Sequence, residues 1–334
     1  VYGDLILSSP AVAEGMVFFG NQKGMFYALD TKTGEARWSK DFGVPVRSSP
    51  AVVNGTVYFG CHDKHVYALD AVTGDLKWKY KTGGLVRSSP AVWQREEYHE
   101  VVVGQLLIGS QDGYLYCLDP KDGKLQWRFK TGGPVFSSPA LAGDGRTAYV
   151  GSNDGHLYAV NAANGREKWR FKTEYWITSA PAIQDDTVFV GSWDGKFYAI
   201  DAKTGELKWS KAMPEVTSRH IVASPAVTRD AVYIAYRGDT RLGDGTHVYA
   251  LDPATGRELW RQPIAASIES SPTVVADTLL IADTNGHLRA LNRQTGEEHW
   301  NVRIGGRREI ISTPTIGAGA IYFGDLNGNL NAAE

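Results

Sequence analysis

The sequence predicts an all-β protein, an eight-bladed β-propeller whose blades are four-stranded antiparallel sheets. A pair of small residues before proline, as in RSSPAV at 47–52, occurs eight times, and successive prolines are 40 to 49 residues apart. A turn followed by tryptophan, as in TGDLKW at 73–78, occurs seven times. Periods in this range are typical of propeller blades. The signature prolines are Pro10, Pro50, Pro90, Pro139, Pro181, Pro225, Pro272 and Pro314.

Each repeat reads as four short strands, which we name A to D from the propeller axis outward. In residues 47–79, RSSPAVV is strand A and TVYFG (56–60) alternates as strand B. HVYALD (65–70) is strand C, and DLKWKY (75–80) is strand D. The B-to-C turn elsewhere contains Asp-Gly or Asn-Gly, which is a strong hairpin signal. Frequent turns and β-branched or aromatic strands exclude a helical-repeat solenoid.

Eight such units fit one closed ring, which leaves only short, protected sheet edges. We therefore expect residues 1–334 to form a single domain. Two four-bladed domains are the alternative, but no linker-like change of composition interrupts the repeat.

The eighth blade departs from the pattern, because the eighth tryptophan is missing. NLNAAE (329–334) aligns with MFYALD (25–30), which is strand C, so no copy of strand D follows it. We expect blade eight to close between residues 310–334 and the N-terminal segment 1–7, without a fourth strand of its own. We further expect residues just before Val1 or just after Glu334 to supply that strand in the natural protein.

The docking pattern A-x-D-x-x-T-G-x-x-x-W, matched at Ala68, Asp70, Thr73, Gly74 and Trp78, resembles the repeat of the PQQ-like (pyrroloquinoline-quinone-type) β-propeller family. The resemblance covers the whole chain. This family contains quinoprotein dehydrogenases and the β-barrel assembly lipoprotein of bacterial outer membranes, and the chain resembles the latter type in blade number and repeat type. The resemblance implies a periplasmic or extracellular location.

The composition of the chain argues against several classes of function. Hydrophobic residues make up 43% and charged residues 22% of the chain, with a net charge of −2. A packed core is therefore expected, whereas no Lys/Arg run suggests nucleic acid and no apolar run approaches a membrane span. The two cysteines, Cys61 and Cys117, form no metal or redox motif.

The repeated residues are expected to be structural. The seven repeated tryptophans would bury their rings between blades, and the aspartates before the turns would cap them through side-chain hydrogen bonds. The docking tryptophans are Trp38, Trp78, Trp127, Trp169, Trp209, Trp260 and Trp300. The capping aspartates are Asp30, Asp70, Asp119, Asp201 and Asp252.

Function is expected where the repeat is broken, because loops on a rigid scaffold carry function. Insertions occur at 93–104, 211–222 and 236–247. In an up-and-down blade, D-to-A connectors and B-to-C turns share one face, so four irregularities converge on that face of blades five and six: Trp176, Trp193 and the two later insertions. An arginine-rich funnel with aromatic walls should open beside them. The predicted binding residues are Trp176, Trp193, Tyr175, Arg219, His220, Tyr236, Arg237, Arg241, Arg47, Arg87, Phe136, Glu269 and Arg308.

These features favour a non-catalytic propeller that binds a protein or a peptide, with no cofactor. A PQQ- and calcium-dependent quinoprotein dehydrogenase is one alternative. There Trp176 would be the quinone platform, Arg47 or Arg87 would pair with its carboxylates, and Asp239, Asp244 and Glu269 would be calcium ligands. The chain lacks the vicinal cysteines often found in that class. A glycan-binding module, or a sensor domain of a larger protein, is the other alternative.

Overall fold

The predicted propeller is confirmed by a computed structural model, which describes residues 4–97, 100–213, 221–236, 246–304 and 309–333. These residues form 31 antiparallel strands, arranged as seven four-stranded sheets and one three-stranded sheet. Each sheet is one blade, and its strands follow one another in chain order. β29 of blade eight packs beside β1 of blade one, which closes the ring.

The strands of blades one to four are β1 (Ala11–Ala13), β2 (Met16–Gly20), β3 (Met25–Asp30), β4 (Ala36–Asp41), β5 (Ala51–Val53), β6 (Thr56–Gly60), β7 (His65–Asp70), β8 (Leu76–Lys81), β9 (Ala91–Glu97), β10 (Glu100–Gly109), β11 (Tyr114–Leu118), β12 (Leu125–Lys130), β13 (Ala140–Leu141), β14 (Thr147–Gly151), β15 (His156–Asn161) and β16 (Glu167–Lys172). The insertion at 93–104 lengthens the β9–β10 hairpin of blade three.

The strands of blades five to eight are β17 (Ala182–Gln184), β18 (Thr187–Gly191), β19 (Lys196–Asp201), β20 (Leu207–Ala212), β21 (Ala226–Val227), β22 (Val232–Ala235), β23 (Thr246–Leu251), β24 (Glu258–Ile264), β25 (Thr273–Val275), β26 (Thr278–Ala282), β27 (His287–Asn292), β28 (Glu298–Arg303), β29 (Thr315–Gly317), β30 (Ala320–Gly324) and β31 (Leu330–Ala333). Blade eight thus has strands A to C within the described residues.

The tryptophans fasten each blade to the next. The indole of Trp78 is 7% exposed and donates to the carbonyl of Pro120 in blade three, at 2.9 Å. Gly123 of that blade lies flat against the ring, because a Cβ there would be 2.6 Å from it. The same hydrogen bond is made by Trp38, Trp127, Trp169, Trp209 and Trp260.

Trp300 departs furthest from the expectation that all seven docking rings are core, whereas Trp38, Trp209 and Trp260 are half-buried. Its side chain is 38% exposed, because the described residues of blade eight end in strand C and bring no turn over the ring. Trp300 occupies the same repeat position as the other six tryptophans, but the turn of the next blade that would cover its ring is not among the described residues.

The aspartates cap the turns as expected. Asp70 accepts hydrogen bonds from the amides of Val72 and Thr73, and Asp30 does the same for Lys32 and Thr33. Together with Arg37, whose guanidinium is the larger cause, these amides lower the pKa of Asp30 to about 2.

The second residue of the small-residue signature forms hydrogen bonds between neighbouring blades. Its amide donates to the hydroxyl of the same residue in the next blade, and these bonds run around the axis and close the ring. The donor and acceptor pairs are Ser9–Ser49, Ser49–Ser89, Ser89–Ser138, Ala180–Ser224, Ser224–Ser271, Ser271–Thr313 and Thr313–Ser9. The belt is interrupted between Ser138 and Ala180, since alanine has no hydroxyl.

Replacing Ala180 by serine is expected to complete this belt. One added hydrogen bond of this kind stabilises a protein by about 0.5–1.5 kcal/mol, so Ala180→Ser should raise the urea midpoint. Ser49→Ala, which removes the hydroxyl that accepts a hydrogen bond from the amide of Ser9, should lower it by a similar amount. Destabilisation by Ala180→Ser would show that the belt contributes nothing at this position.

Candidate functional site

The D-to-A connectors and B-to-C turns lie together on one face, which we call the connector face. In the seven blades whose B-to-C turn is described, a backbone hydrogen bond joins that turn to the connector beside it. The donor and acceptor pairs are Gln22–Leu5, His62–Pro45, Gln111–Leu85, Asn153–Pro134, Trp193–Trp176, Thr284–Ser267 and Leu326–Glu309. Of the irregular positions predicted to share this face, Trp176 and Trp193 are brought together in this way.

The aromatic cluster of blade five consists of Tyr175, Trp176 and Trp193. The rings of Tyr175 and Trp176 stack with centroids 5.1 Å apart, and Trp176 meets Trp193 at 5.2 Å. The indole of Trp193 donates to the hydroxyl of Thr178 at 2.7 Å, which fixes its orientation. Tyr175 is 48% and Trp176 38% exposed. These are large apolar rings held at the surface by a rigid turn.

The basic cluster lies at the connectors of blades one to three. Arg47 donates to Gln22 at 2.7 Å, and Arg87 donates to the ring of His62 at 3.2 Å. The guanidinium of Arg87 also lies 5.5 Å from the centroid of the Phe136 ring. Burial, and then the neighbouring charge of Arg47, lower the pKa of Arg87. Positive charge is thus concentrated in a partly desolvated place, which suits an anionic group.

His62 and Gln22 were not predicted as site residues. Both hold the second position after strand B, following the buried residues Cys61 and Asn21, and Trp193 occupies the same position in blade five. Only Trp193 was noticed at this position, because tryptophan is rare outside the docking motif. An alignment of the B-to-C turns would have shown that Gln22 and His62 hold the same position.

His62 should make stability depend on pH. Burial, followed by the charges of Arg87 and Arg47, lowers its pKa from 6.5 to about 4. The folded state therefore favours the neutral ring, and stability present above pH 6.5 is lost as the pH falls towards 4. His62→Gln, which keeps an acceptor for Arg87, should lose less stability across this window. Urea midpoints at pH 7 and 4.5 measure the difference; equal losses in both proteins would contradict it.

Tyr236 was wrongly predicted as a surface binding residue. Its side chain is fully buried and packs against Tyr249, with ring centroids 6.2 Å apart. In the repeat it aligns with Cys61 and Ser192, which are buried as well. The insertion that follows drew attention to Tyr236, but the repeat register assigns it to the core.

Glu269 is half-buried in the connector that enters blade seven. Five other predicted binding residues lie outside the described residues: Arg219, His220, Arg237, Arg241 and Arg308. Two of the three candidate calcium ligands, Asp239 and Asp244, also lie there. In the part of the chain that is described, no three His, Cys, Asp or Glu side chains gather as metal ligands.

Both thiols are inert in character. Cys61 and Cys117 are free and buried, and burial is the main cause that raises the pKa of each to about 12. Across the described ranges, the structure contains no helix with the length and apolarity needed to cross a bilayer.

A family model described as outer membrane protein assembly factor BamB matches residues 4–127, 111–244 and 244–334. The BamB of Moranella endobia is 34% identical over 88 residues, which are 25% of this chain and 23% of that protein. The crystal structure of BamB from Moraxella catarrhalis superposes with a TM-score of 0.78 at 17% identity, covering 97% of this chain and 95% of the other.

The quinohemoprotein alcohol dehydrogenase of Comamonas testosteroni superposes with a TM-score of 0.79 at 16% identity, covering 97% of this chain and 72% of that one. At this level of identity the structural matches establish a common fold. The family model, by contrast, matches nearly the whole sequence. The chain therefore belongs to the PQQ-like repeat family of the outer membrane protein assembly factor BamB.

Proposed function

We propose that this protein is a non-catalytic propeller that binds a protein or peptide partner in outer membrane protein assembly. The partner would contact the connector face at blades five and six and the central funnel. The observation that carries the proposal is the aromatic cluster of Tyr175, Trp176 and Trp193, in which Tyr175 and Trp176 are exposed and Trp193 is half-buried.

Exposed aromatic rings in a fixed orientation are typical of binding hot spots, since they bury a large area at small cost in side-chain entropy. Here the orientation is fixed twice, by the backbone bond from Trp193 to Trp176 and by the indole bond to Thr178. The partner would therefore meet a preformed surface.

The basic cluster favours a partner with acidic groups. Arg47 and Arg87 open towards the same face, and an incoming carboxylate would replace solvent around two partly buried guanidiniums. Charge-assisted hydrogen bonds of this kind are stronger than neutral ones. Aromatic contact at blade five and charge in the funnel would together give affinity and orientation.

The family supports the cellular context. Relatives described as outer membrane protein assembly factors match by sequence, so the periplasm is the proposed location and other proteins are the proposed partners. No cofactor takes part in this function. The match to the quinohemoprotein alcohol dehydrogenase, at 16% identity, indicates a common fold and carries no argument for a cofactor.

The proposal is tested by immobilising the chain and passing over it a detergent extract of a Gram-negative cell envelope. The Trp176→Ala/Trp193→Ala variant is run beside it, and retained proteins are identified by mass spectrometry. We expect a protein that the original chain retains and that the variant loses.

The matched control is Val72→Ala/Leu125→Ala, which removes exposed apolar side chains away from the connector face. It should retain the same protein as the original chain. Equal retention by the aromatic variant would exclude the aromatic cluster as the binding surface.

A glycan is the second candidate ligand, because Asp194 lies next to Trp193 and accepts a hydrogen bond from the amide of Glu174. Aromatic rings beside a carboxylate can stack on and hydrogen-bond a sugar. Binding on a glycan array that Trp193→Ala abolishes would favour this candidate over a protein partner.

A further inference from the structure

Arg47 and Arg87 lie in neighbouring connectors, with His62 between them. The amide of His62 donates at 3.1 Å to the carbonyl of Pro45, which is two residues before Arg47. The ring of the same histidine accepts a hydrogen bond from Nε of Arg87 at 3.2 Å. Burial, and then the charges of both arginines, lower the pKa of this histidine. Two guanidiniums are therefore held close together around one neutral ring.

Each of these guanidiniums is oriented through its Nε atom. Nε of Arg47 donates to Oε1 of Gln22 at 2.7 Å, and Nε of Arg87 donates to His62. The terminal nitrogens carry the remaining N–H donors of each fork, and they make no hydrogen bond to any described residue. Both arginines are half-buried. The basic cluster thus presents two fixed forks whose donors the described part of the chain leaves available.

No carboxylate compensates the charge of this cluster within the described ranges. Asp63, which follows the histidine in sequence, accepts hydrogen bonds from Tyr67 and His65 instead. Glu269 belongs to the connector that enters blade seven, which stands opposite blade three in a ring of eight. Holding two like charges together in a partly buried place is unfavourable, as the lowered pKa of Arg87 indicates. A bound anion would remove this cost.

Phe136 adds an aromatic wall to the site. It belongs to the connector that enters blade four, and Cζ of Arg87 lies over its ring at 5.5 Å from the centroid. A guanidinium can lie on an aromatic face while the N–H donors in the plane of its fork stay available to an anion. Arg87 is therefore restrained by two neighbours, His62 and Phe136, without loss of its terminal donors.

We propose that the basic cluster is a binding site for the dianion of a phosphate monoester, with Arg47 and Arg87 as the residues that bind it. Such a group carries about two negative charges at neutral pH, and its oxygens accept the parallel N–H donors of a guanidinium fork. It would compensate both arginines, whereas a single carboxylate would compensate one. The proposal goes beyond the function proposed above, which rests on the aromatic cluster, because it requires no protein partner.

The test titrates the 334-residue chain with inorganic phosphate near neutral pH, at constant ionic strength, by isothermal titration calorimetry. We expect saturable binding of one phosphate per chain. Arg47→Gln and Arg87→Gln should each weaken binding about tenfold or more, because a hydrogen bond to a charged group contributes that much affinity. Acetate should bind to the original chain about tenfold or more weakly than phosphate, since it carries one charge.

Arg128→Gln is the matched control. It also removes one positive charge from blade three, but on the exposed outer strand, where the guanidinium lies over Tyr114. It should bind phosphate as the original chain does. Absence of saturable binding, equal affinity for acetate, or unchanged affinity in Arg47→Gln and Arg87→Gln would overturn the proposal. The comparison with acetate uses the original chain, so it decides the question even if a variant fails to fold.

Two further ligands distinguish the source of the phosphate group. Glycerol 3-phosphate represents a soluble ester, and phosphatidylcholine vesicles that contain phosphatidic acid represent a lipid headgroup. Vesicle binding that Arg47→Gln abolishes would assign the group to a lipid, whereas saturation by glycerol 3-phosphate without vesicle binding would assign it to a soluble ester. Neither measurement involves the aromatic cluster, so this proposal and that of a protein partner can fail separately.

Discussion

Trp78→Ala is expected to destabilise the protein by about 3–5 kcal/mol, in the range measured for removing large buried aromatic side chains. The ring is nearly covered, and its removal leaves a cavity between blades two and three. The indole bond to Pro120 is lost as well. Chemical denaturation followed by tryptophan fluorescence measures the change.

Trp300→Ala is the matched control, because it removes the same residue type from the same repeat position. Its ring is 38% exposed, so less apolar area leaves the core and the loss should be about 1 kcal/mol. If both variants lost equal stability, coverage by the next blade would not be what makes the docking tryptophans stabilising.

Gly151→Ala is expected to be the next most damaging substitution, at about 1–3 kcal/mol. Gly151 ends strand B of blade four, where a Cβ would stand 2.2 Å from Cγ2 and 2.9 Å from the backbone oxygen of Ile177. The methyl group would force the connector into blade five away from the sheet. Because that connector carries Trp176, partner binding should weaken too.

Gly143→Ala provides the comparison within the same blade. A Cβ at Gly143 meets nothing within 4 Å, and its φ is not positive. It should leave the denaturation midpoint unchanged or raise it slightly, since alanine restricts the unfolded chain more than glycine does. A loss similar to that of Gly151→Ala would contradict the steric explanation.

The fold could be predicted from the sequence because the signals that define the repeat are local. Alternating residues, Asp-Gly turns and the tryptophan register each depend on neighbours a few residues away, so strands such as β6 (Thr56–Gly60) and β7 (His65–Asp70) were predicted to the residue. The circular hydrogen-bond belt was not predicted, because its donors and acceptors lie about one repeat apart and only the ring brings them together.

Burial was wrongly predicted for two residues, Tyr236 and Trp300. Tyr236 precedes an insertion and was assigned to the surface, although its counterparts in other blades are buried. Trp300 was assigned to the core by its repeat position, although coverage depends on the next blade. Burial in a propeller is a property of the interface between two repeats, and one repeat does not reveal it.

The candidate site was predictable in part. Strand order alone placed Trp176 and Trp193 on the same face, and the structure brings their rings together. The partnership of His62 with Arg87 was missed, because it joins a turn to a connector that carries no unusual motif.

The most direct test is hydrogen exchange of the chain with and without the partner captured on it. We expect the partner to slow amide exchange in residues 174–178 and 192–194, which hold the aromatic cluster, and to leave the turns at 31–34 and 71–74 unchanged. Protection confined to those turns, with none at the aromatic cluster, would contradict binding through the connector face.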